Sequence, residues 1–274
     1  MTSPCADPFR LRSLPLPIGR KDACIMNIIV SCKIVPDDQD IQVAPDRTLD
    51  YSKAKGVVSA YDLNAIEAAA QLAAGQDGSK VVAIAAGPAS IDDSKIKKNV
   101  LARGVDELVM CADDACGNMD AHATAEVLAG LVGEYDVILC GDGSADNYAQ
   151  QVDVQLAARL GVPSVNGVTS IAAEDGALVV ERTLEDVVET VRVPLPAVVS
   201  VSPDVAVPRI PGMKDILAAG KKPMDVRPAA GACAASLEVV STLAPEQAER
   251  KLEILDASAD GAIEQFAAAL KAAL

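Results

Sequence analysis

The groups best able to do chemistry lie in residues 136–161, DVILCGDGSADNYAQQVDVQLAARLG. An apolar run reaches Cys140, Gly141-Asp142-Gly143-Ser144 follows, and a helix-like stretch ends at Gly161. A strand that passes through such a turn into a helix presents backbone N–H groups and the positive end of a helix dipole, which together hold phosphate. Ser31-Cys32-Lys33 and Ala86-Gly87-Pro88 close two other apolar runs and would face the same rim. Glycine at these places lets a backbone come close to a pyrophosphate, or only shapes the turn between strand and helix; spacing alone leaves both readings open. Asp142, Asp146 and Asp153 would serve metal binding, ribose contact, or capping and solvation. The stretch holds no Lys and no His or Cys pair, so it reads as a cradle without a reaction.

Other chemistries lack their residues. The seven Cys (5, 24, 32, 111, 116, 140, 233) are scattered, and several sit in apolar runs, as buried reduced thiols of a cytoplasmic protein would. Cys111-x4-Cys116 has the spacing of a redox or metal pair, but nothing supplies further ligands, so no metal site is expected. His122 is the only His, which leaves Cys–His or Ser–His catalysis no other base. There is no G-x-G-x-x-G, no G-x-x-x-x-G-K-[ST] and no G-x-S-x-G. A net charge of −15 argues against nucleic acid, and no apolar run reaches the roughly 20 residues needed to span a membrane.

The elements that would position the rim alternate along the chain. Residues 26–35, 80–86, 106–111 and 136–140 are apolar runs suited to strands buried on both faces. Helical patterns cover 62–74, the stretch after Asp93, and 120–132, with Ser59-x-x-Asp62 and Ser90-x-x-Asp93 resembling capping boxes. This order predicts an α/β fold: a doubly wound, mostly parallel, Rossmann-like sheet with its ligand site at the carboxyl ends of the strands. Residues 168–173, 177–183, 187–193 and 197–202 read as short alternating strands, and ALVVERT with DVVETVRV, split by Leu184-Glu185, predicts a hairpin and so an antiparallel extension of the sheet. A core of Ala, Val, Leu and Ile is required, since the chain has two Phe and no Trp.

Residues 1–25, with Pro4, Pro8, Pro15 and Pro17 among basic residues, read as a disordered extension or a misplaced start, Met26 being the candidate first residue. Residues 26–224 read as the α/β nucleotide-binding domain, with an exposed loop at about 202–223. Residues 225–274 read as a polar linker to about 245 and an amphipathic helix carrying Ile263, Phe266, Leu270 and Leu274, which docks on another surface or on its own core.

MNIIVSCKIVPDD, VVAIAAGPAS, GDGSADNYAQQV, LVVERTLED with LPAVVSV, and VPRIPGMKDILAAGKKP occur in this order. From Met26 to about Asp225 the chain resembles the beta subunit of electron transfer flavoprotein. GSADNYAQQV and PRIPGMKDIL bring it nearest to the Fix-type branch, while the last 50 residues are similar only in kind. The resemblance implies an electron-carrying subunit and not an enzyme, with no catalytic side chain, because a flavin is the reactive part. It implies FAD in an alpha subunit and, in this chain, either AMP as a structural ligand or a second FAD. The Fix-type likeness favours FAD and electron bifurcation.

By the same resemblance the nucleotide contacts are Ser31, the adenine-side segment Ser59, Ala60, Tyr61 and Asp62, then Ala86 and Gly87. Ser144, Ala145, Asp146, Gln150, Gln151, Val152 and Gln155 complete the cradle. Pro208, Arg209 and Met213 belong to a recognition loop for an acyl-CoA dehydrogenase-type flavoenzyme or a quinone oxidoreductase, and residues 225–274 to an arm around the alpha subunit. Val152 stands where many members carry Thr, and Tyr148 and the two Gln replace more acidic or smaller residues. An ATP- or AMP-binding α/β protein of adenylating or stress type is the alternative, and a scaffold subunit with an empty site is a third reading.

Overall fold

The computed structural model describes residues 25–231, 233–246 and 252–273; the extension expected at 1–25 lies outside them apart from Ile25, as does Leu274. The strands are β1 (Asn27–Ser31), β2 (Ile34–Pro36), β3 (Gln42–Val43), β4 (Leu49–Asp50), β5 (Gly56–Val58), β6 (Lys80–Gly87) and β7 (Glu107–Ala112). They continue with β8 (Val137–Gly141), β9 (Ser164–Glu174), β10 (Ala177–Thr183), β11 (Val188–Pro194), β12 (Ala197–Val201) and β13 (Met224–Arg227). The helices are α1 (Ala60–Ala74), α2 (Ser94–Leu101), α3 (Ala121–Leu131), α4 (Val152–Leu160), α5 (Met213–Ala219) and α6 (Ala262–Ala273).

One sheet of nine strands runs in the order β11-β10-β9-β12-β8-β1-β6-β7-β13. Pairing is parallel from β9 through β12, β8, β1, β6 and β7 to β13, and antiparallel across β9, β10 and β11. The expected doubly wound sheet with a hairpin extension is the fold observed. The chain leaves β1 for β6 and β7 on one side and then returns to β8 on the other, so strand order reverses between β1 and β8. A crevice at the carboxyl ends of these strands is where open α/β sheets bind ligands.

Alternation along β1 shows how both faces are filled. Ile28 and Val30 join a cluster with Ala65, Ile66 and Ala69 of α1, whereas Ile29 joins Leu128 of α3 and Leu156 of α4 on the opposite face. Alanines let α1 lie close to the sheet, so a core without Trp still closes.

Several boundaries differ from the sequence reading. The run 26–35 is two strands: β1 stops at Ser31, and β2 turns away to pair with β5 in a separate two-stranded sheet. Ser59 is the N-cap of α1 but makes no side-chain cap bond, so Ser59-x-x-Asp62 is no capping box. Asp93, not Ser90, caps α2, accepting from the N–H groups of Lys95 and Ile96. The hairpin turn is Leu184–Val187, closed by Leu184 N–H donating to the Val187 carbonyl at 2.9 Å. The stretch read as a linker begins with β13, which extends the sheet beside β7.

Two compact units are present, one comprising the chain up to Ile41 with Tyr51–Val239, the other Gln42–Asp50 with Val240–Leu274. In the second unit the β3–β4 hairpin pairs through Thr48 with Leu243, and Arg47 meets Glu246 at 3.1 Å. Ile263, Phe266 and Leu270 of α6 are exposed.

Candidate nucleotide site

A cavity of about 420 Å³ opens where β1, β6 and β8 end, within the size range of small-molecule sites. Its wall is completed by the loop after β7, the start of α3, the 142–151 loop and the first turn of α4. All of these belong to the first unit.

Asp62 organises the floor. From α1 its Oδ2 accepts the Lys33 N–H at 2.7 Å and its Oδ1 the Gly141 N–H at 3.2 Å, tying the ends of β1 and β8 together. Asp62 is 6% exposed, and burial pushes its carboxyl up to about 7 against the two amide bonds and the Lys33 charge that favour ionisation. Gly141 is glycine for the same reason: a Cβ there would lie 2.7 Å from Asp62 Oδ1 and 2.8 Å from the Tyr61 backbone. Gly143 is required because a Cβ would strike the Tyr148 ring. Both glycines therefore answer to packing within the chain, one of the two roles left open by spacing.

The cradle loop is held from several sides. Lys33 Nζ reaches Asp146 Oδ2 at 2.6 Å and contacts Ser144 and Asn147 at 3.5 and 3.4 Å. Burial opposes ionisation of Asp146, yet the Lys33 hydrogen bond and charge bring its carboxyl below the ordinary range. Tyr148 donates its hydroxyl to Asp142 at 2.7 Å, and Gln150 Nε2 donates to the same carboxylate at 2.9 Å. That bond pushes the Tyr148 phenol up to about 12. Tyr148 and Gln150 adopt φ of +43° and +53°, a left-handed backbone that costs non-glycine residues on the order of 1 kcal/mol each. The N-cap of α4, Gln151, makes no side-chain cap bond, and Asp153 in its first turn is buried, which raises its carboxyl.

Of the residues singled out in the sequence, Ser31, Asp62, Ala86, Gly87, Ser144, Asp146, Gln150, Gln151 and Val152 line the cavity. Ser59, Ala60, Tyr61, Ala145 and Gln155 do not. Ser59 Oγ accepts the Ala145 N–H at 3.2 Å, Tyr61 packs on Tyr148 with ring centroids 5.0 Å apart, and Gln155 bonds Gln151 at 3.3 Å. Lys33, read as a rim residue, was missed as a contact. The stretch 136–161 has no lysine of its own, and the cation arrives from the end of β1. Its place directly after a strand end on the same rim was the signal available.

The 202–223 loop lies elsewhere on the first unit. Glu67 of α1 accepts from Arg209 three times, from the backbone N–H at 3.1 Å, Nε at 2.6 Å and Nη2 at 3.0 Å. Asn64 of α1 donates to the carbonyls of Pro203 and Ala206 at 3.2 and 2.8 Å. Beyond this base Val207, Ile210, Met213 and Leu217 are exposed, while Pro208 is half-buried.

Among the described residues no group of His, Cys, Asp and Glu could hold a metal ion, and no helix is long and apolar enough to cross a membrane. The family model described as the electron transfer flavoprotein domain matches residues 47–232, more than half of the chain. This match, on a doubly wound sheet with a crevice at its strand ends, places the chain in the electron transfer flavoprotein domain family.

Proposed function

We propose that this chain is the beta subunit of a heterodimeric electron transfer flavoprotein, passing electrons between flavin and an acyl-CoA dehydrogenase-type or quinone-linked partner. The observation that carries the reading is a cavity at the carboxyl ends of β1, β6 and β8 whose lining sets Lys33, paired with Asp146, and the amide end of α4 among the carboxylates of Asp62, Asp120, Asp142 and Asp153. Lys33, Ser144 and the start of α4 would hold the phosphate of an adenine nucleotide, and the polar side chains of Gln150 and Gln151 stand at the same wall. Flavin, when bound in the complex, supplies reversible electron uptake; the chain's own residues hold, orient and shield the guest.

The cavity lies toward the small end of the range for ligand sites, which favours AMP. The Fix-type likeness of GSADNYAQQV and PRIPGMKDIL favours FAD and a bifurcating role. Denaturing the co-expressed heterodimer and separating the released nucleotides distinguishes them: one FAD with one AMP, or two FAD. A heterodimer releasing no nucleotide beyond the alpha subunit's flavin overturns the assignment.

A further inference from the structure

Three thiols meet beside the cavity, two of them five residues apart and the third 117 residues further along the chain. Cys116, on the turn after β7, lies 3.7 Å from Cys111 of β7 and 3.1 Å from Cys233, sulfur to sulfur. The segment carrying Cys233 crosses this turn as a strap with anchors on either side of the thiol. Asp113 accepts the Ala229 N–H at 3.1 Å, and Asp120 accepts those of Ser236 and Leu237 at 2.6 and 3.1 Å. Cys116 and Asp120 both line the cavity, so the strap backs its wall.

We propose that Cys116 and Cys233 form a redox-responsive pair, in which oxidation by a peroxide joins them as a disulfide that fastens the strap to the cavity wall. The sulfurs need approach by only about 1 Å to reach bonding distance. Cys233 is the half-exposed member and Cys116 is buried, which sets their order of reaction. The Cys233 sulfur attacks the peroxide; an S–O bond forms, the O–O bond breaks and one water leaves. The Cys116 sulfur then attacks the Cys233 sulfur; the S–S bond forms, the S–O bond breaks, and the Cys116 proton departs with the second water. Two thiols lose two electrons, which the peroxide gains. Burial raises the thiols of Cys111 and Cys116, in keeping with neither being the first to react.

Treating the full chain with hydrogen peroxide and mapping its cysteines by alkylation and peptide mass spectrometry tests this. The expected product is a peptide pair linked through Cys116 and Cys233, two hydrogens lighter than the separate peptides and separated by dithiothreitol. In Cys233→Ser, Cys116 should remain fully alkylatable after the same treatment and denaturation. A wild-type chain in which Cys116 still takes the label, or in which Cys116 is linked to Cys111 instead, overturns the proposal.

Discussion

The crevice and the 202–223 loop are both anchored on α1, five residues apart, and are built on opposite plans. At the crevice Asp62 is buried, its oxygens are used by backbone amides, and the polar groups around the cavity are held by neighbours in the chain. At the loop Glu67 clamps Arg209, and what stands beyond the clamp is apolar and bare: Ile210 is 93% and Met213 77% exposed. Preorganised polar groups in a cavity suit a small anionic guest, whose phosphate cannot adapt to a misplaced donor. A few apolar anchors on a fixed base suit a large surface that binds briefly and leaves. One helix serves both because Asp62 meets the ends of β1 and β8 while Glu67 meets the loop at Arg209, from a shared alanine-packed body.

Removing Asp62 should break the comparison most severely. Asp62→Ala leaves two backbone donors without their acceptor at a buried strand junction and should cost about 2–4 kcal/mol in urea unfolding, with loss of the nucleotide; unchanged stability would refute the role given to this carboxylate. The milder Asp62→Asn isolates its titration. The carboxyl sits at about 7 in the folded chain and near 4 when unfolded. Between those values the folded chain keeps a proton that the unfolded chain releases. The stability so contributed is complete below about pH 4 and is lost as pH rises through about 7. The difference in unfolding free energy, wild type minus Asp62→Asn, should fall across that window, and a pH-independent difference would argue against burial as the dominant influence.

Glu67→Ala should act next, and only at the other region. Releasing a partly exposed Arg209 should cost about 1 kcal/mol and speed hydrogen exchange at 207–212 without lowering nucleotide content. Lys33→Ala should weaken nucleotide retention about tenfold, equivalent to about 1.4 kcal/mol, and retention should become less sensitive to salt. Met213→Glu should have the smallest effect on stability, within about 0.5 kcal/mol as for other surface changes, while slowing electron transfer to the partner at unchanged flavin and nucleotide content. Equal transfer rates would separate the apolar loop from docking.

What could be read from residues alone divides along the same lines. The parallel strands were legible because strands buried on both faces are continuous apolar runs, and Gly161 after α4 marks a left-handed helix end that its type announces. Asp62 was misread because Ser59-x-x-Asp62 satisfies a local rule, while the amides that claim its carboxylate come from Lys33 and Gly141, 29 and 79 residues away. Lys33 was legible as a rim residue but its ion pair with Asp146, 113 residues away, was not, and Cys233 escaped for the same reason: contacts across more than a hundred residues leave no spacing to read. β13 was invisible because MDVR is four residues with alternating charge, joined to the sheet only by its neighbour β7.

The nine-strand sheet is not closed, so each of its flanks exposes unused main-chain donors and acceptors. At one flank β11 carries Glu189 and Arg192 and finishes in Pro194; at the other β13 is four residues long, with Arg227 paired to Asp225 at 2.6 Å. Charge, brevity and a missing amide make both margins poor templates for another strand.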